Sequence, residues 1–299
     1  MDELKLRTGI GLGEKKLLLA LLPALFVLVL ILVPFGYSIY YSLTDRSLIS
    51  RDINFVGLSN YIEYFSSGLF WHNFRITFTY IVLGLSAQFV LGFAIALALN
   101  QDTWLGKVLR PLLLFPLMIS PIIGTLMWKL MMNPDYSVLN FILGPFGVAR
   151  EFNWAGTAEY ALLSAILIDI WMFTPFFAVI ILAGLKGISP RILEAASVDG
   201  LSNWTIFKKI TLPFLKPFII ICLVFRFIDS ITQFDIIFGL TRGGPGSATM
   251  NFQVEAYTQA FSYYRLGYGS SIMLVIWAIV YIACFILVKY WHKSKESLR

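Results

Sequence analysis

Arg226 and Asp229 stand three residues apart in an otherwise apolar run, and Gln233 follows four residues after Asp229. Residues at that spacing share one helical face, so the run Pro217 to Leu240 presents a cation, a carboxylate and an amide as one stripe. Asp169, the single charge between Tyr160 and Leu185, is a second carboxylate that a neighbouring helix can bring to it. Phe234 adds an aromatic ring, Asp235 adds a further carboxylate, and Gly239 lies near the end of the run. A charge at the bilayer centre costs about 2.5–3.5 kcal/mol on insertion scales. These side chains are therefore expected to pair with each other or with a partner subunit, not to face lipid. Three roles stay open: a solute pathway, a proton relay through Asp169, Asp229 and Asp235, or an ion pair that only fixes helix packing.

Covalent chemistry finds no support. The two histidines, His72 and His292, have no Ser or Cys and carboxylate placed to complete a triad. Cys222 and Cys284 both fall within apolar runs, without the spacing of a disulfide framework or a zinc site. The glycine-rich "GIGLGEKK" at Gly9 to Lys16 follows no strand and precedes an apolar run, and no GxxxxGK[ST] occurs anywhere. No metal and no cofactor is expected in this chain.

The elements that must position the charges are membrane helices. Of 299 residues, 58% are hydrophobic and 13% charged, and the mean hydropathy is +0.78, values foreign to a soluble domain. Crossing a bilayer takes roughly 20 apolar residues. Leu17 to Leu43, Ile76 to Leu99, Leu266 to Val288 and the shorter Pro111 to Trp128 are free of charge. With the two runs that carry the charges, they make six candidate spans. Lys and Arg concentrate before the first span, in 100–110, in 186–216 and after the last span. Basic residues collect on the cytoplasmic side, and both termini share that side only if the number of spans is even. The expected fold is all-α, polytopic and N-in/C-in, with a cytoplasmic segment 1–16, a membrane domain 17–290 and a cytoplasmic tail 291–299. The first span is read as retained, because it is too long for a signal core and lacks a small-x-small cleavage site.

The net charge of +6 then records topology, and no nucleic-acid partner is implied. Outer loops are expected at 44–75, 130–159 and 241–265, with an interfacial helix in "NFVGLSNYIEYFSSGLFWHNF". Small residues four apart, Gly92/Ala96 and Ala94/Ala98, permit close helix approach.

One inner loop is unusual. "EAASVDGLSNWTIFKKITLPFLKP", Glu194 to Pro217, reads as a helix-turn-helix. Ser189 before Pro190 starts a helix, Gly200 stops it in the left-handed conformation, and Ser202 or Asn203 caps a second helix ending before Pro213. Glu194, Ala195 and Ala196 would form a face of little bulk suited to insertion into another protein's groove.

At these residues the chain resembles the permease subunits of ABC importers. Their signature E-A-A-x-x-x-G, then I-x-L-P, stands here as Glu194-Ala195-Ala196 through Asp199-Gly200, followed by Ile210, Leu212 and Pro213. A second stretch, "FRFIDSITQFDIIFGLTRGGPGSATM", resembles the fifth span and outer loop of the carbohydrate-uptake branch. The outer loop has Arg242 before Gly243, Gly244 and Pro245, where the family shows a third glycine. The resemblance implies a type I importer fold in the inner (plasma) membrane, paired with a second homologous permease. It also implies two cytoplasmic ATPases that bind the ATP and Mg, and an external or periplasmic binding protein that delivers the solute. The loop at about 187–213 would be the coupling helix. The implied solute is a carbohydrate or a carbohydrate-like compound, with neutral sugars, polyols, glycerol phosphates and sulfated or sulfonated sugars all open. Arg242 tilts slightly toward an anion, and a proton-coupled secondary transporter of a small polar solute is the alternative.

Overall fold

The computed structural model describes residues 12–101, 103–136 and 138–296. Residues 1–11 and 297–299, which the sequence assigns to cytoplasmic ends, lie outside the described residues. The elements are α1 (Leu12–Ser42), α2 (Ser59–Ser66), α3 (Leu69–Leu99), α4 (Trp104–Leu113), α5 (Pro121–Met131), α6 (Val138–Leu143), α7 (Ala161–Lys186), α8 (Pro190–Val198), α9 (Asn203–Ile206), α10 (Leu212–Ile231), α11 (Asp235–Leu240), α12 (Phe252–Tyr257) and α13 (Leu266–Glu296). Among the described residues there is no strand, only an isolated bridge between Thr44 and Phe55. α1 begins before residue 17 and α13 runs on past residue 290, so helix extends into both expected flanking segments.

α3 and α7 form the centre. A Cβ on Gly92 would fall 2.5 Å from Phe177 Cβ and 3.0 Å from the Thr174 carbonyl, so these two backbones meet where only glycine fits. Ala96 is buried in the same seam, whereas Ala94 and Ala98 are exposed. Gln88 meets Asp169, and Gly92 meets Phe177, which makes α3 and α7 parallel. α10 runs back against α7, with Leu215 beside Gly184 and Arg226 beside Asp169. α1 packs on α13 in the opposite sense, through Phe35 and Trp277 and through Gly267 and Thr44. Tyr64, just ahead of α3, meets Tyr268 at the start of α13, so the start of α1, the end of α13 and the loop 187–213 share one end of the bundle.

Among the described residues, five helices are long and apolar enough to cross a membrane. The expected third span is not one straight helix, because its two halves bend by 95°. Proline disfavours helical backbone in the residue before it, and Ser120, ahead of Pro121, is extended at φ −59 and ψ 135. The ten-residue α4 rises only about 15 Å, so it cannot cross alone. The parallel course of α3 and α7 requires the bent pair to carry the chain back across. α3 begins at Leu69, earlier than Ile76, and takes over the end of the expected interfacial segment; α2 keeps its middle.

The fifth span departs further. It ends at Ile231, not Leu240, and α11 starts anew at Asp235. At the break the Thr232 hydroxyl donates to the Ile228 carbonyl at 2.9 Å, and the Asn251 amide donates to the Gln233 carbonyl. The first bond occupies a carbonyl of the last helical turn, and the second ties the segment beyond the helix to Asn251 in place of further helix. At its other end the helix does not stop before Pro213. Asn203–Ile231 is continuous through a π turn at Phe207–Thr211, where the Leu212 N–H bonds to the Phe207 carbonyl. The wider turn brings the helix past a proline that has neither an N–H nor room for a tight preceding turn.

Candidate functional site

A buried ionic cluster ties the three central helices together. The Arg226 side chain is 1% exposed, and it donates to both Asp169 carboxylate oxygens at 3.0 and 3.2 Å. It also donates to Gln88 Oε1 at 3.1 Å, Ser230 Oγ at 3.3 Å and Asp229 Oδ2 at 3.2 Å. Phe173 covers its face, 3.9 Å from ring centroid to guanidinium carbon. Gln88 in turn donates to Asp169 Oδ2 at 2.6 Å. A planar fork of five donors suits such a site, where each remaining acceptor must be met.

The structure thus joins Asp169, Arg226 and Asp229, the first two buried and the third at the accessible edge. Sequence reasoning missed Gln88, Ser230 and Phe173, although an amide in the middle of a charge-free run was itself a signal. Gln233 lies beyond the end of α10, so it adjoins the cluster by way of Tyr80 and not along one helical face. Gln233 is buried and Phe234 turns to a different set of partners. Its ring lies 4.7 Å from that of Phe238 and 4.9 Å from that of Tyr257, and Tyr257 continues to Phe261 at 5.1 Å. Asp235 heads α11. Gly239 packs on Ile122 and Thr125 of α5 and accepts from Lys129 Nζ at 3.0 Å.

The loop beyond α11 keeps the backbone its sequence calls for. Arg242, at the position of the missing glycine, sits at φ 55 beside Gly243 at φ 89. The side chain is held 6.0 Å over the Phe238 ring. Thr249 bonds Thr241 Oγ1 at 2.6 Å and the Gly244 carbonyl at 3.0 Å, and the Gly244–Pro245 peptide is cis. His72 Nε2 donates to the Ser247 carbonyl at 2.9 Å, fastening the loop to α3.

At the other end, α8 starts at Pro190 as expected, but the Ser189 hydroxyl makes no cap bond. Gly200 closes the helix at φ 76, with Gly200 N–H on the Ser197 carbonyl and Leu201 N–H on the Ala196 carbonyl. These two bonds define a Schellman stop. Ser202 Oγ then accepts from Thr205 N–H at 3.3 Å to cap α9.

Glu194, Ala195 and Ala196 do not share one face, since consecutive helical residues point apart. Ala196 is buried, whereas Glu194, Ala195 and Asp199 are exposed. Beside them Val198 is 87% exposed and Trp204 70% exposed. Ile210 and Pro213 are half-buried and Leu212 is exposed. Leu193 anchors the loop against the core of Ile188, Leu215 and Phe214.

A family model for the inner membrane component of binding-protein-dependent transport systems matches residues 88–295. The chain belongs to that family and is an ABC importer permease of the cell inner membrane. It is 39% identical over 254 residues to a probable ABC transporter permease protein, y4oQ, of Sinorhizobium fredii, covering 84% of this chain and 82% of the relative. It is 38% identical over 272 residues to the trehalose/maltose transport system permease protein MalF of Thermococcus litoralis, covering 90% of each. In fold it is similar to a solved bacterial ABC transporter involved in importing the acidic polysaccharide alginate. The TM-score is 0.80 at 21% identity, covering 94% of this chain and 96% of that one. The secondary-transporter alternative gives way to this membership. Asp169 and Asp229 flank one guanidinium, and Asp235 stands beyond the helix break.

Proposed function

We propose that this chain is one half of the translocation pathway for a carbohydrate or carbohydrate-like solute, imported at the expense of ATP hydrolysed on separate subunits. A second homologous permease completes the path, two ATPases carrying ATP and Mg dock at the loop 187–213, and an external binding protein delivers the solute. The end bearing that loop and both termini faces the cytoplasm.

The observation that carries the reading is Asp229. Its side chain is 62% exposed in the isolated subunit although it lies in a membrane span. Phe225, Asp229 and Thr232, all exposed, recur at intervals of four and three and so lie on one face. A carboxylate there cannot meet lipid without the cost given above, so the face belongs to a polar path or a partner permease. Gln233, Phe234, Asp235 and Gly239 continue the path past the break, toward Arg242, Gly243, Gly244 and Pro245 at its mouth.

The exposed apolar and acidic surface of α8 and α9 supports the docking role. Glu194→Lys reverses a charge in a partly desolvated contact, a change costing about 2–5 kcal/mol. With the complex reconstituted, the variant should reach the membrane yet lose binding-protein-stimulated ATP hydrolysis. Wild-type stimulation would place the docking surface elsewhere.

A further inference from the structure

Arg226 has little left to offer a solute. Four of its five N–H donors are engaged by Gln88, Asp169, Ser230 and Asp229, its face is covered by Phe173, and 1% of the side chain is exposed. Asp169 is buried to the same degree. The cluster of one cation and two carboxylates therefore carries an excess negative charge, and its accessible edge is Asp229. Lys129 and Arg242 lie beyond the helix break, one bonded to the Gly239 carbonyl and the other above Phe238. They can draw anions to the mouth, but they do not neutralise Asp229.

We propose that the wall this subunit presents to the solute is electronegative, so that it passes neutral or amino-substituted polyhydroxylated solutes and disfavours acidic sugars. This rests on the path reading above. A carboxylate accepts bonds from paired sugar hydroxyls, whereas a uronate, sulfonate or phosphate beside Asp229 meets like charge across a low-dielectric wall. The fold does not settle this selectivity, because a solved transporter of the same fold is described as importing an acidic polysaccharide. The pairing of Arg226 is what argues for it on this wall.

The test reads the potential directly. In the full permease–ATPase complex, with Cys222 and Cys284 changed to Ala, Thr232→Cys places a thiol three residues from Asp229 on the exposed face. Methanethiosulfonate reagents of opposite charge are applied in the ATP-free and ATP-bound states. The cationic reagent is expected to outpace the anionic one by about five-fold more than it does on free cysteine, since wall charges set local potentials of this order. Asp229→Asn should abolish that preference and Asp229→Lys should reverse it. Equal rates with Asp229 intact overturn the electronegative wall while leaving the path in place. If neither reagent reaches the introduced thiol in a complex that still hydrolyses ATP, the face is not in the path and both readings fall. In uptake by the complete system, Asp229→Asn should shift the ratio of a uronate oligosaccharide to a neutral one of equal length toward the uronate. An unchanged ratio overturns the selectivity.

Discussion

A buried charge left without its partner costs more than the intact pair contributes. Arg226→Leu strands Asp169 at 1% exposure with the Gln88 amide and the neighbouring Tyr80 hydroxyl, but no cation, to meet it. The expected loss is about 3–5 kcal/mol, read as a lower melting temperature and a lower yield of assembled complex. Arg226→Lys should not rescue it, because an ammonium cannot span Gln88, Asp169, Asp229 and Ser230 as a planar fork does. The double variant Asp169→Leu/Arg226→Leu removes both charges and should recover much of the stability while still impairing uptake. A double variant as unstable as the single one would show that the fork, not the charge balance, holds the helices. At Phe234, stacked on Phe238 and tilted against Tyr257, Phe234→Ala should raise the solute KM with little change in assembly. Unchanged uptake would remove the ring from the path.

Elements differed in how far their sequence disclosed them. The start of α8 at Pro190 and its stop at Gly200 were legible because each depends on one residue's backbone preference. The pairing of Asp169, Arg226 and Asp229 was legible because burial leaves charges few choices. The break at Thr232–Phe234 was not, since it depends on Asn251, eighteen residues on, taking the Gln233 carbonyl. Nor was the π turn, a compromise between Pro213 and the need for one unbroken helix from loop to cluster. The α3–α7 seam gives a direct test at this scale. With a Cβ on Gly92 placed 2.5 Å from Phe177, Gly92→Val must force the two helices apart and should lower the melting temperature by several degrees, a loss of about 1–3 kcal/mol. Ala98→Val, on the exposed side of the same helix, should be near neutral within the subunit. Equal damage from both would mean that a partner permease, not α7, sets the packing of α3.

Across the whole molecule, the contacts fix which ends lie together. Because α3 runs parallel to α7 and α10 runs antiparallel to it, Leu99, Lys186 and the loop 187–213 gather at one end, with α2 and the 241–250 loop at the other. Basic residues crowd the first end, the pattern expected of a cytoplasmic face. Asn203–Ile231 then forms one continuous helix from the exposed surface at Trp204 to the ionic cluster at Arg226 and Asp229. A continuous element of that length offers a route by which a displacement of the loop would reach the cluster without passing through a flexible joint. Labelling tests both statements. With native cysteines removed, Ser202→Cys should react with an impermeant maleimide only in inside-out vesicles, and Ser66→Cys, exposed on α2, only in intact cells. Reaction of both from one side would collapse the six-crossing course. Inserting two glycines after Ile210 should leave both labelling patterns intact, since topology rests on the spans, yet uncouple ATP hydrolysis from uptake because the continuous helix is broken between loop and cluster. Coupled transport through such an insertion would mean that the stroke reaches the path by way of α7 and its neighbours instead.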